Sequence, residues 1–98
     1  MQHFVLTYRY VDDYMARRDA FRAEHRARLQ KAVDDGPVLA AGVLPESLSA
    51  LIVCRANSAD ELRAFAKDDP YYHAGLITSF EVEPWTVAVG LPQILKAQ

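Results

Sequence analysis

His25 stands four residues after Phe21 and four before Leu29, so on a helix the three share one stripe and an imidazole joins an apolar face. An imidazole in that place is a candidate general base and acid, because it changes charge near neutral pH. The same position also suits a half-buried histidine satisfied by a backbone carbonyl, since titratable groups mark functional sites only statistically. Asp69, followed by Pro70, is the second candidate. Aspartate before proline is the pattern of a helix N-cap and first turn, yet a capping carboxylate can still hold a neighbouring imidazole in one tautomer. Arg22 is the arginine best placed to attract a substrate carboxylate, whereas Arg17, Arg18, Arg26 and Arg28 read as a solvated face balanced by Asp13, Asp19, Glu24 and Asp34. Tyr71, two residues after Asp69, joins Arg22 as a candidate substrate-binding residue. His3, beside the N-terminus, and His73, in a turn, have less support.

No other chemistry-bearing pattern is present. The sequence has no Cys/His cluster at zinc spacing, no glycine-rich phosphate loop, no Gly-x-Ser-x-Gly and no His-Glu-x-x-His, so neither a metal nor a cofactor is expected. Cys54 is the single cysteine and sits in the apolar run Leu51-Ile52-Val53-Cys54, where a small buried hydrophobe is expected rather than a nucleophile. A net charge of −2 and a pI of about 5.8 give no cationic field for gripping phosphate backbones, which argues against a nucleic-acid partner. No apolar run reaches the roughly 18 residues needed to cross a bilayer, and no charged leader precedes an apolar stretch; the expected place of action is the cytoplasm.

The elements that must position these side chains follow from periodicity. With 98 residues, 51% hydrophobic and 24% charged, the chain suits one globular domain over residues 1–98. His3–Tyr10 mixes aromatic and β-branched residues without Gly or Pro and predicts the first strand. From Asp13 to Asp34, Tyr14, Phe21, Leu29, Ala32 and Val33 recur at helical spacing, predicting one long amphipathic helix that stops at Asp35-Gly36-Pro37. Val38–Val43 and Ser49–Arg55 read as a hairpin across a loop containing Pro45. Ser58 followed by Glu61 resembles a capping box before a second helix carrying Leu62, Phe65 and Ala66. Asp69-Pro70 interrupts that helix, a short turn or helical piece holds Tyr71–Gly75, and Ile77–Val89 reads as the last strand; the tail Gly90–Gln98 carries no assignment.

Strand-helix-strand-strand-helix-strand is the order of the ferredoxin-like α+β fold, with two helices on one face of a four-stranded antiparallel sheet. The hairpin strands are apolar at both alternating positions, Val38 and Ala40 against Leu39, Ala41 and Val43. A second copy of the chain covering the open face would account for that, so a homodimer is expected.

The segments Arg22-Ala-Glu-His25 with Leu29, Gly36-Pro37-Val38-Leu39-Ala40-Ala41-Gly42, Asp69-Pro70-Tyr71-Tyr72-His73-Ala74-Gly75-Leu76 and Glu83-Pro84-Trp85 together resemble the YCII-related family across nearly the whole chain. That family is similar to the muconolactone-isomerase-like group of dimeric α+β barrels. The resemblance implies an active-site pair formed by a histidine of the first helix and the aspartate of the Asp-Pro-aromatic motif, which by position are His25 and Asp69. Two functions stay open. One is a cofactor-independent enzyme, an isomerase or lyase in which His25 moves protons, Asp69 orients it and Arg22 or a tyrosine holds a small carbonyl, lactone or phenolic substrate. The other is a non-catalytic dimer that binds a small metabolite or serves as an accessory protein, with His25 and Asp69 kept as a structural hydrogen bond.

Overall fold

The computed structural model describes residues 1–90, so the unassigned tail beyond Gly90 lies outside the described residues. The elements are β1 (Gln2–Tyr10), α1 (Tyr14–Arg17), α2 (Asp19–Asp35), β2 (Val38–Leu44), β3 (Ser49–Ala56), α3 (Ala59–Lys67), α4 (Pro70–His73) and β4 (Ile77–Pro84). Their antiparallel sheet runs β2-β3-β1-β4, the ferredoxin-like arrangement, with the helices on one face. Period-two alternation builds the core between the layers. Phe4, Leu6, Tyr8 and Tyr10 of β1 and Ala50, Ile52, Cys54 and Ala56 of β3 are buried toward the helices, against Leu62 and Ala66 of α3. No helix among the described residues is long and apolar enough to cross a membrane.

Local signals place the helix ends. Gly36 takes φ 109°, a left-handed conformation that suits glycine, and its N–H donates to the carbonyls of Ala32 and Val33. Ser58 Oγ accepts from the Glu61 N–H at 3.4 Å, and the Glu61 carboxylate accepts from the Asn57 N–H at 3.2 Å, so the expected capping box closes one residue early.

Three features depart from the sequence expectation. The helix expected over Asp13–Asp34 is two pieces, because Phe21 N–H donates to the Arg18 carbonyl in a tight three-residue step. The break lies between two separate anchors. Tyr14 stacks on Tyr10 of β1 with ring centroids 3.8 Å apart, while His25 and Ala32 bury the face of α2. The last strand ends at Pro84 rather than Val89: proline has no N–H, and the strand closes where the Trp85 N–H donates to the His3 carbonyl. His3 is buried, not frayed, because β1 is an interior strand paired on both edges from its first residues.

A bulge between Val38 and Ala40 also changes the parity of β2. Val38, Ala41 and Val43 thereby pair with Cys54, Ile52 and Ala50 on the helix side, and Ala40 and Gly42 pair with Val53 and Leu51 on the outer side. Part of the apparent two-faced apolarity of this strand is therefore one face read across a bulge.

Candidate active site

Asp69 is the N-cap of α4, with an extended backbone, and its Oδ1 accepts from the Tyr71 N–H at 2.8 Å. The same oxygen lies 2.8 Å from His25 Nδ1, joining α2 to α4 across 44 residues of sequence. Oδ2 accepts from the Tyr8 hydroxyl at 3.3 Å and lies 3.8 Å from Arg28 Nη1. The Arg28 guanidinium sits 4.0 Å over the Phe65 ring and donates through Nη2 to the Phe65 carbonyl at 2.7 Å. Asp69 is fully buried, and a buried carboxylate persists only when its charge is paired and its lone pairs are occupied, which these four partners do.

This arrangement selects a tautomer. An ionised carboxylate only accepts, so Nδ1 carries the hydrogen and, in the neutral ring, Nε2 carries the lone pair. Nε2 has no hydrogen-bond partner among the described residues, and His25 lines a cavity of about 230 Å³. Tyr71 stacks on the imidazole, 3.8 Å between ring centroids and 10° between planes, which restrains the ring from its flat side. Tyr10 and Tyr14 form a second stacked pair set edge-on to Tyr71.

Burial foremost, and then the neighbouring Tyr14, pushes the Tyr10 and Tyr71 phenols up from their ordinary range; Tyr8 is pushed up by burial and by the Asp69 charge. At neutral pH these three are hydrogen-bond donors, not bases. Burial also pushes the Cys54 thiol up to about 12, in keeping with the inert core residue expected from its apolar run.

These shifts carry a stability signature. Each group keeps its proton longer in the folded than in the unfolded chain, so the folded protein binds more protons once pH passes the unfolded values of 9.0 for Cys54 and 10.0 for the tyrosines. The contribution is fully present below those values and is lost as pH rises above them. Thermal melts followed by circular dichroism should therefore show a lower Tm at about pH 11 than at about pH 8. An unchanged Tm across that interval would contradict the burial of these groups.

His25 and Asp69 are thus brought together, and Arg22 and Tyr71 line the same cavity. Arg18, half-buried against the expectation of a solvated face, lines it too, as do the exposed Arg26 and the buried Tyr10 and Tyr14. Positions 18, 22, 25, 26 and 29 form one helical stripe, the signal from which both arginines could have been found. Arg28 is part-buried behind Asp69, while Arg17 keeps the expected surface role, 3.5 Å from Asp13. His73 is exposed and 4.0 Å from Asp68, away from the cavity.

The profile of the YCII-related domain matches residues 1–86. The chain belongs to the YCII-related family. Among solved structures, this YCII-related chain is similar to the 5-chloro-2-hydroxyhydroquinone dehydrochlorinase TftG of Burkholderia phenoliruptrix AC1100, determined in complex with 2,5-dihydroxybenzoquinone. The TM-score is 0.75 at 21% identity, covering 88% of this chain and 95% of that one, a likeness of fold. No curated protein matches the YCII-related chain in sequence.

Proposed function

We propose that this YCII-related protein is a cofactor-independent enzyme of isomerase or lyase type, in which His25 serves as base and then acid, Asp69 orients it, and Arg22 and Tyr71 hold a small organic substrate. The observation that carries the reading is the imidazole itself: Nδ1 is engaged by a buried carboxylate while Nε2 is left unpartnered on a residue that lines the cavity. Nε2 takes a proton from a substrate atom next to a carbonyl or hydroxyl group. The imidazolium that forms is balanced by Asp69, and the proton returns at another atom, completing an isomerisation, or leaves with a departing group, completing an elimination. The similar fold of a dehydrochlorinase supports the second outcome, since dehydrochlorination removes a proton and a chloride.

The test is proton exchange and chloride release measured by NMR in deuterated buffer over chlorohydroquinones, lactones and β-dicarbonyl acids. Catalysed exchange or release by the native protein, lowered at least about a hundredfold in His25→Ala, is the expected result. Turnover that is indifferent to His25→Ala, or no turnover of any of the three classes, would overturn it.

The reading includes a homodimer formed through the outer sheet face. Val5, Ala40, Leu51 and Val53 share that face, and Leu51 is 40% exposed, which makes an apolar patch beside the charged side of the sheet that carries Glu81 and Glu83. Sedimentation should show about twice the 11.0 kDa chain mass. Leu51→Glu should shift it toward a monomer by placing an unpaired charge in the interface. A native monomer would remove the dimer without touching the histidine chemistry.

A further inference from the structure

Three arginines of one helical stripe, Arg18, Arg22 and Arg26, face the cavity that His25 lines, and no aspartate or glutamate lines it. The chain as a whole carries 13 acidic against 11 basic residues, so this wall reverses the overall sign. Two of its three charges are not spent on the protein. Among the described residues no carboxylate lies within 4.0 Å of Arg22 or Arg26, and the Arg18 Nε is buried without a hydrogen-bond acceptor, 4.0 Å from an exposed Asp19 oxygen. Guanidiniums that line a cavity without a carboxylate partner are placed to pair with an anion that enters it.

The remaining wall limits the size of that anion. Tyr10, Tyr14 and Ile52 close it with side chains that are themselves almost wholly buried, and the Tyr10 and Tyr71 phenols stay protonated. At about 230 Å³ the cavity is smaller than the roughly 300–1,000 Å³ typical of sites for drug-sized ligands, yet larger than the ~150 Å³ that accommodates benzene. One ring with a few polar substituents fits.

We propose that the site selects a small, single-ring anion, carrying a carboxylate or an ionised phenol, through Arg18, Arg22 and Arg26. The proposal rests on the reading of this cavity as the place of reaction, and it names the class of molecule bound there. Three guanidiniums favour the charged over the neutral form of an otherwise identical ring.

Isothermal titration with 2,5-dihydroxybenzoate and its uncharged carboxamide as probes tests it. The acid should bind about tenfold or more tightly than the amide, a preference that weakens as salt is added. Arg18→Gln and Arg22→Gln, which keep part of the side-chain stem at half-buried positions, should each reduce that preference, with unchanged circular dichroism as the control for folding. Equal binding of acid and amide, absence of acid binding at millimolar concentration, or an affinity for the acid indifferent to both arginine variants would overturn the proposal. His25→Gln separates this from catalysis. Charge preference retained in that variant with turnover lost supports both readings, whereas turnover retained overturns the catalytic reading and leaves anion selection standing.

Discussion

His25→Ala is expected to lower kcat by about 10²- to 10⁴-fold while leaving the protein folded, because the variant removes the one group placed to carry a proton and spares most of the core around it. Asp69 would still receive the Tyr71 N–H and the Tyr8 hydroxyl and keep Arg28 beside it, so the buried carboxylate is not abandoned. Asp69→Asn should lower kcat within the same range for a different reason. Asparagine keeps an oxygen where it accepts from both the Tyr71 N–H and Nδ1, but that oxygen no longer carries the charge that makes the imidazole a stronger base. The imidazolium also loses its counter-charge. Steady-state rates on whichever substrate shows exchange, compared at equal folded fraction, are the measurement. Two variants within about twofold of the native kcat would leave the pair as a structural hydrogen bond.

Asp69→Ala is expected to be strongly destabilising. A lost N-cap by itself costs about 0.5–2 kcal/mol. Here the same side chain also receives Tyr8, contacts His25 and sits beside the part-buried Arg28, whose Nη1 has no hydrogen bond of its own. Removing the carboxylate leaves an uncompensated charge, and breaking such a buried pair costs about 3–5 kcal/mol. Against a total of about 5–15 kcal/mol for an ordinary domain, that is enough to unfold much of the protein. Asp69→Asn should lose less, since one oxygen still accepts from the Tyr71 N–H, but its amide nitrogen would face Arg28 or Tyr8 in place of an anion. Urea denaturation of the three proteins decides the matter. A loss for Asp69→Ala within the capping range would mean that Arg28 and His25 add nothing to the stability of the folded state.

The two halves of the site were each legible locally. Phe21, His25 and Leu29 share a helical stripe whatever surrounds the helix, and Asp69-Pro70 predicts a cap from its own chemistry. The solvated-face expectation fails for Arg18 and Arg28 for a related reason. Arg18 and Arg28 have nearby acidic residues in sequence, which suggests a solvated ladder, and only the packed structure places β2, β3 and α3 opposite them. The bulge in β2 was equally silent: it turns on one extra residue between Val38 and Ala40, and an alternating apolar run reads equally well in either parity.

By itself, the sequence determined what depends on neighbours within a turn or a hairpin: the order of strands and helices, the left-handed stop at Gly36, the cap at Ser58, and an imidazole on an inward stripe. Tertiary structure decided what depends on sheet order and crossover. It placed β1 between β3 and β4, packed α4 against α2, and so brought Asp69 Oδ1 to 2.8 Å from His25 Nδ1 and turned Arg18 and Arg26 toward the cavity. The physical reason is that periodicity records which side chains share a face, whereas the groups that meet across that face are chosen by long-range packing, where apolar burial and the pairing of buried charge are satisfied together.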